Sequence, residues 1–334
     1  MKKIFNTSTI ALVLLVSGIL VLPTSCKKDL LDQTPTGELA AVNFWKTDAD
    51  ATIALMAAYA SARAVFDRDY YFEGHGEFTR VRGTSATSGS ILRGDAYQGA
   101  SYGPSGYGAS FDKYFSYLYG TVNRTNYVIE NINNRMIPGA TGARLATLES
   151  IIAEARLLRG MTYFRLISMW GDVPYIGRII YDNSEVKDIK RLPIGQVKDS
   201  ILADFNYAVS NLPAKPSALG RAGKPAALAF RGKLNLYWGS WKKNGWPELE
   251  GFTQNPAEAQ TAFAAAAADF KSVINDYGLT LYKNGDAGSI DALGKADILP
   301  NYFELFTPKA NGATEMIMAF THSGTPTNPS QGEE

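Results

Sequence analysis

Apolar positions recur at helical spacing along most of this chain. In "NFWKTDADATIALMAAYASARAVF" (residues 43–66), Ile53, Met56, Ala57 and Ala60 fall three and four apart. Thr47 or Asp48 can cap that helix, and Asp50 favours its first turn. In "FDKYFSYLYGTVNRTNYVIENINN" (111–134), Phe115, Leu118, Tyr119, Val122, Asn126 and Ile129 share one broad face. A longer block, "RLATLESIIAEARLLRGMTYFRLISMWGDVPYI", carries the stripe Leu148, Ile151, Ile152, Ala155 and Leu158. Ala155 and Gly160 are small enough for a neighbouring helix to come close, Gly171 ends the helix, and Pro174 lies just beyond. A further helix is expected to start near Pro193, where proline suits a first turn. "GKPAALAFRGKLNLYWGSW" and "NPAEAQTAFAAAAADFKSVINDYG" predict two more, with alanine at packing positions. Only "VPYIGRII" and "TEMIMAF" look like strands.

The last three helical blocks share a shape: an alanine-rich helix, an aromatic residue and a glycine turn, then another helix. That is the look of a helical repeat such as the tetratricopeptide repeat, although an ordinary bundle would pack nearly the same way. The predicted class is therefore mainly α, a helical bundle built on tetratricopeptide-like helix pairs, with long irregular loops and few short strands. Residues 74–110 break the pattern. They are glycine-rich, keep no period and scatter tyrosines throughout. So long an irregular stretch in a compact domain is usually functional or disordered.

Composition then narrows the chemistry. The formal net charge is +1, so no strong field favours nucleic acid. Histidine occurs only as His75 and His322, and cysteine only as Cys26, too few for a convincing zinc site. There is no GxSxG, GxGxxG or GxxxxGK[ST], and spacing singles out no carboxylate pair. No enzyme activity and no cofactor are expected.

The amino terminus has its own pattern. Lys2 and Lys3 precede the apolar run Ile10–Leu22, and Pro23, Thr24 and Ser25 lead into Cys26. A basic start, a short apolar stretch and small residues describe a secretory signal, and the apolar run is short for a membrane span of about 20 residues. A lone cysteine at that junction predicts cleavage after Ser25 and lipidation of Cys26. Residues 1–25 are then a lipoprotein signal peptide, 26–46 a lipid-anchored tether, and 47–334 the helical domain.

Several of these stretches, in this order, resemble the SusD/RagB family of outer-membrane nutrient-binding lipoproteins. They are the cysteine followed by "KKDLLDQTPTG", then "NFWKTDADA", "NRTNYVIENI", "AEARLLRGMTYFRLISMWGDVPYI", "GRAGKPAALAFRGKLNLYWGSW" and "ATEMIMAF". The Ala-Glu-Ala-Arg to Gly-Asp-Val-Pro block is the most specific. The resemblance implies a surface lipoprotein of the outer membrane. Such a protein captures oligosaccharides, or in a sister version peptides, and passes them to a SusC-like TonB-dependent transporter. A helical scaffold whose only partner is another protein is the alternative. Family members normally continue well past the "EMIMAF" stretch, so the chain reads as lacking the usual C-terminal region. The loss of that region should uncover apolar helix faces.

The motifs that carry the resemblance are structural. Trp170 and Tyr175 read as packing residues, Gly171 and Asp172 as a turn, and Trp241 as lying near the turn surface. The expected ligand site is the irregular segment. Tyr97, Tyr102 and Tyr107 are five apart in a glycine-rich loop, and Arg93, Asp95 and Gln98 lie beside them. Flat rings match the C–H faces of sugars, and the polar groups reach their hydroxyls. The other reading of the same tyrosines is that they fold back onto the helices as packing.

Overall fold

The computed structural model describes residues 44–67, 107–246, 250–286, 288 and 301–321. The chain divides into a unit Met1–Phe44 and a unit Trp45–Glu334. The expected signal peptide, Cys26 and most of the tether lie outside the described residues.

The second unit is helical. Its elements are α1 (Asp48–Phe66), α2 (Tyr107–Asn131), α3 (Gly142–Trp170), α4 (Ile194–Asn211), α5 (Lys224–Asn244), α6 (Pro256–Asp276) and the single turn α7 (Asn301–Glu304). From α1 to α6 each helix packs on the next in sequence, and α1 also touches α3. Among the described residues there is no sheet, only one antiparallel bridge between Val173 and Leu192. The two strand-like stretches thus find no strand partners.

Local chemistry sets the helix ends. Thr47 and Asp50 form a reciprocal cap. The Asp50 N–H donates to Thr47 Oγ1 at 3.3 Å, and the Thr47 N–H donates to Asp50 Oδ2 at 2.7 Å. Asn255 Oδ1 accepts the Glu258 N–H at 3.1 Å, with Pro256 at the start of α6. Gly171 leaves α3 at φ 66°, a conformation that suits glycine.

The stripe predicted for α3 is buried (Leu148, Ile151, Ile152, Ala155 and Leu158); in that of α2, Leu118, Val122, Asn126 and Ile129 are buried while Phe115 and Tyr119 are half-buried. The stripe predicted for α1 is the outer face. Ile53 is 58% and Met56 39% exposed, and Ala57 and Ala60 are exposed as well. The buried side is Ala51, Ala54, Leu55, Ala58, Tyr59, Ala62 and Val65. Alanine lies on both faces of α1, so apolar spacing alone does not orient it. Tyr59 decides the orientation. Its hydroxyl donates to Glu154 Oε2 at 2.6 Å and accepts the Ala222 N–H at 2.8 Å. Burial and the Glu154 carboxylate keep that phenol protonated, far above its ordinary pKa. Arg221 forks onto the same carboxylate, so α1, α3 and the α4–α5 connection meet at one buried charge pair.

The repeat suspected from composition has a defined physical content. Arg159 grips Asp204 with two hydrogen bonds of 2.7 Å, and Asn126 Oδ1 accepts a third guanidinium N–H at 2.8 Å. Arg231 grips Asp269 at 2.8 and 2.6 Å, and Asn206 Oδ1 accepts its third at 2.9 Å. The planar fork of arginine fits a carboxylate in this two-pronged way. The next residue repeats too. A Cβ on Gly160 would lie 2.5 Å from the Phe205 ring, and one on Gly232 would lie 2.7 Å from the Phe270 ring. Both helix pairs therefore carry Arg-Gly on the first helix and Ala-Asp-Phe on the second. In α5 and α6, Gly232 faces Phe270 while Gly239 faces Phe263. Index rises on one helix as it falls on the other, so the pair is antiparallel.

Candidate functional site

The Gly-Asp-Val-Pro corner after α3 gives each residue a task. Gly171 supplies the positive φ. Asp172 Oδ1 accepts the Ile194 N–H at 2.8 Å, so it caps α4 from twenty-two residues away. That explains how α4 starts cleanly after Pro193, which has no side-chain acceptor of its own. Val173 is buried and its carbonyl accepts the Leu192 N–H at 3.0 Å. Pro174 then begins a strap that runs along α2.

The strap explains "VPYIGRII". Its main chain is held by side chains of helices. Tyr119, Asn123, Asn126 and Glu130 recur at helical spacing on one stripe of α2. Tyr119 Oη donates to the Pro174 carbonyl at 2.7 Å. Asn123 Nδ2 donates to the Ile180 carbonyl at 2.9 Å, and the Ile180 N–H donates back to Asn123 Oδ1 at 2.8 Å. Asn126 Nδ2 donates to the Ile176 and Arg178 carbonyls at 2.9 and 2.8 Å. Glu130 accepts the Ile179 N–H at 3.1 Å, and Tyr163 Oη of α3 accepts that of Ile176 at 2.7 Å. A segment shielded from water must pair its backbone polar groups; here a helix face does the work of a neighbouring strand.

The strap ends in a tight turn. Asp182 Oδ1 accepts the Ser184 N–H at 2.8 Å. Glu185 Oε1 accepts the N–H groups of Tyr181 and Asp182 at 2.9 and 3.0 Å and pairs with Arg178. Both carboxyls sit below the usual range, Asp182 through its hydrogen bonds from Ser184 and Glu185 first through Arg178. The backbone of Tyr181 is thus fixed while its ring is 78% exposed.

Between α2 and the strap lies a groove of about 560 Å³, within the range of about 300–1,000 Å³ typical of ligand sites. Phe115 and Tyr119 line one wall, Ile176 and Ile180 the other, with Tyr181 and Asp182 also lining it. Its rings belong to a rigid series. Phe115 lies 4.8 Å from Tyr119 and 5.2 Å from Trp170, and Tyr163 lies 4.8 Å from Tyr175. Among the described residues Asp182 is the one charged side chain in the lining. Among the described residues no group of acids, histidines or cysteines forms a metal cage. A second groove of about 530 Å³ lies among α4, α5 and α6. Part of its polar lining is spent on internal pairs: Arg231 on Asp269, and Trp238 Nε1 on Glu258 at 2.7 Å. The first groove is therefore the candidate site. What it can hold is a partly apolar, flat-faced ligand with hydroxyl groups.

Of the residues expected from sequence, Arg93, Asp95, Tyr97, Gln98 and Tyr102 lie outside the described residues. Tyr107 is the first residue of α2, so the segment expected to stay irregular to 110 is helical over its last four positions. Tyr107 precedes Phe115 by eight residues, about 12 Å along the axis. Trp170 and Tyr175 are packing residues, as read from the sequence. Trp241 is half-buried and stacks on Phe252 at 4.5 Å. Tyr181 and Asp182 were missed. The available signal was the run of hydrogen-bonding residues Tyr119, Asn123, Asn126 and Glu130 at helical spacing beside the apolar stripe of α2.

Comparison with known proteins agrees with this architecture. Residues 43–236 match the SusD-like family model described as starch-binding associating with outer membrane. A SusD-like protein of Bacteroides ovatus is 24% identical over 92% of this chain and 48% of its own length. SusD-like protein P2 of Formosa agariphila is 26% identical over 64% of this chain and 41% of its own. Among solved structures, a SusD homologue of Bacteroides thetaiotaomicron aligns with TM-score 0.57 at 21% identity, over 72% of this chain and 43% of that one. A laminarin-binding SusD-like protein aligns with TM-score 0.56 at 23% identity, over 82% and 51%. The chain spans less than half the length of the curated relatives named. Among the described residues no helix is long and apolar enough to cross a membrane. Paired helices bound by repeated Arg–Asp forks, the Gly-Asp-Val-Pro corner and a family match over more than half the chain lead to one conclusion: this chain belongs to the SusD-like family, described as starch-binding and associated with the outer membrane.

Proposed function

We propose that this chain captures oligosaccharides at the cell surface and hands them to a SusC-like TonB-dependent transporter, without chemical turnover. The observation that carries the reading is the ring-walled groove on a scaffold of this family. Support also comes from a structural neighbour whose name records laminarin binding. The tyrosine-rich segment that leads into α2 supplies further contacts in this proposal: Tyr97, Tyr102 and Tyr107 as faces, Arg93, Asp95 and Gln98 as hydroxyl partners. Each aromatic contact is worth about 0.5–1.5 kcal/mol, so two or three rings with polar contacts give modest affinity. A Kd of about 1 µM to 1 mM corresponds to about 8 to 4 kcal/mol, and weak binding suits a protein that must release its cargo.

Titration of purified protein against panels of neutral oligosaccharides and of peptides tests the reading. Saccharide binding is expected, and Tyr102→Ala with Tyr107→Ala should lower affinity at least about tenfold, roughly 1.4 kcal/mol, with an unchanged thermal midpoint. A falling midpoint would assign those tyrosines to packing, and binding of peptides alone would replace the proposed ligand class.

Anchoring is tested separately. Cleavage before Cys26 and attachment of several acyl chains are expected, because one chain gives only marginal membrane binding. Mass spectrometry of the mature amino terminus reads this directly. Cys26→Ala should release the protein from the outer-membrane fraction, and native protein should co-purify with a transporter. A Cys26→Ala protein that stays membrane-bound through another covalent anchor would overturn the lipid assignment.

A further inference from the structure

The charge pattern of the groove adds a selectivity that the family assignment does not contain. We infer that the groove between α2 and the strap takes uncharged sugar chains and rejects uronates and sulfated sugars, with Asp182 as the specificity-determining residue. The inference rests on the saccharide reading above and deepens it.

Three observations carry it. Among the described residues the lining is rings and aliphatic carbons, with hydroxyls, amides and one carboxylate as its polar part. Among the described residues that lining holds no cation; Arg93, assigned above to the ligand's hydroxyls, lies outside them. The nearest arginine of the strap, Arg178, is already paired with Glu185. The carboxylate of Asp182 is also fixed in place. It caps the Asn183–Val186 turn through the Ser184 N–H, and the Asp182 N–H is in turn held by Glu185. An anionic ring stacked on Tyr181 therefore meets a stationary like charge. A neutral ring meets only an acceptor for its hydroxyls. The hydrogen bonds from Ser184 keep Asp182 ionised below the ordinary carboxylate range, so the discrimination persists in mildly acidic medium.

Matched ligands make the test clean. Neutral gluco- and manno-oligosaccharides are compared with the same chains oxidised at C6 to uronates, by calorimetry at low salt. Wild type is expected to prefer the neutral member about threefold to tenfold, a gap that added salt shrinks because the charge is exposed. Asp182→Asn should abolish the gap by raising uronate affinity relative to neutral affinity. Asparagine also caps well, so the turn survives the substitution. Tyr181→Ala should weaken both members and leave the thermal midpoint in place. If neutral chains bind but uronates bind as well in wild type, or if Asp182→Asn leaves the gap intact, the selectivity is overturned and the saccharide function stands. If no member of either series binds, both fall.

Discussion

Asp204→Ala is expected to cost about 3–5 kcal/mol of stability, the penalty for removing one partner of a buried ion pair. The carboxylate is almost wholly buried and takes both prongs of Arg159, with the Arg156 guanidinium at 3.8 Å. Without it, the buried Arg159 side chain retains only Asn126 Oδ1 as a hydrogen-bond acceptor. Asn126 itself holds two carbonyls of the strap, so the damage should spread to the groove wall. Asp269→Ala is the internal control. It breaks the equivalent fork in the second helix pair, but Arg231 is more exposed than Arg159 and can turn to water. Its loss should be the smaller by at least about 1 kcal/mol. Denaturant midpoints of the two variants check the order, and equal losses would show that burial does not govern the repeat.

Gly160→Leu should be the other severe change. Leaving glycine improves helix propensity by about 1 kcal/mol. The new Cβ alone would stand 2.5 Å from a ring carbon of the fully buried Phe205, and three more carbons must follow. Overpacking a tight core costs about 1–3 kcal/mol and sometimes more. Crowding therefore wins, for a net loss of about 2 kcal/mol. Phe205→Leu in the same chain should recover part of it, which a double-mutant cycle reads directly. Gly142→Ala samples a glycine near which no heavy atom would meet a Cβ. Because Gly142 sits at φ 56°, any cost there is backbone strain without crowding.

Much of the scaffold was legible in the sequence because helices with one apolar stripe declare themselves. The stripes of α2 and α3 and the punctuation at Pro193 and Gly171 gave element type and approximate ends. The α1 stripe misled because alanine on both faces carries no orientation; the large residues Leu55, Tyr59 and Val65 mark the inward side, with Ile53 and Met56 outward. The Arg-Gly and Ala-Asp-Phe repeat was present as identical letters. Its meaning appears only when the two helices are set side by side, because the paired residues are 45 and 38 positions apart. The groove was least legible. Its wall is an extended segment that pairs with no strand, and strand-like spacing says nothing about a helix that supplies amide side chains instead. Tyr181 and Asp182 stand at the end of that wall, where the sequence suggested only the close of a strand.

The strap has a consequence for how such a site can change. Its path is set by contacts from α2 and α3 to its carbonyl and amide groups, which every residue type possesses, proline's missing N–H aside. The side chains at Tyr181, Asp182 and Asn183 are not needed to keep the Pro174–Ile180 stretch against α2. Position and chemistry are thereby encoded in different stretches of sequence: the rail in Tyr119, Asn123, Asn126 and Glu130, the face shown to the ligand in the residues that ride on it. Exchange of that short face would retune selectivity without moving the groove, as the tooling of a lathe is changed on an unaltered bed.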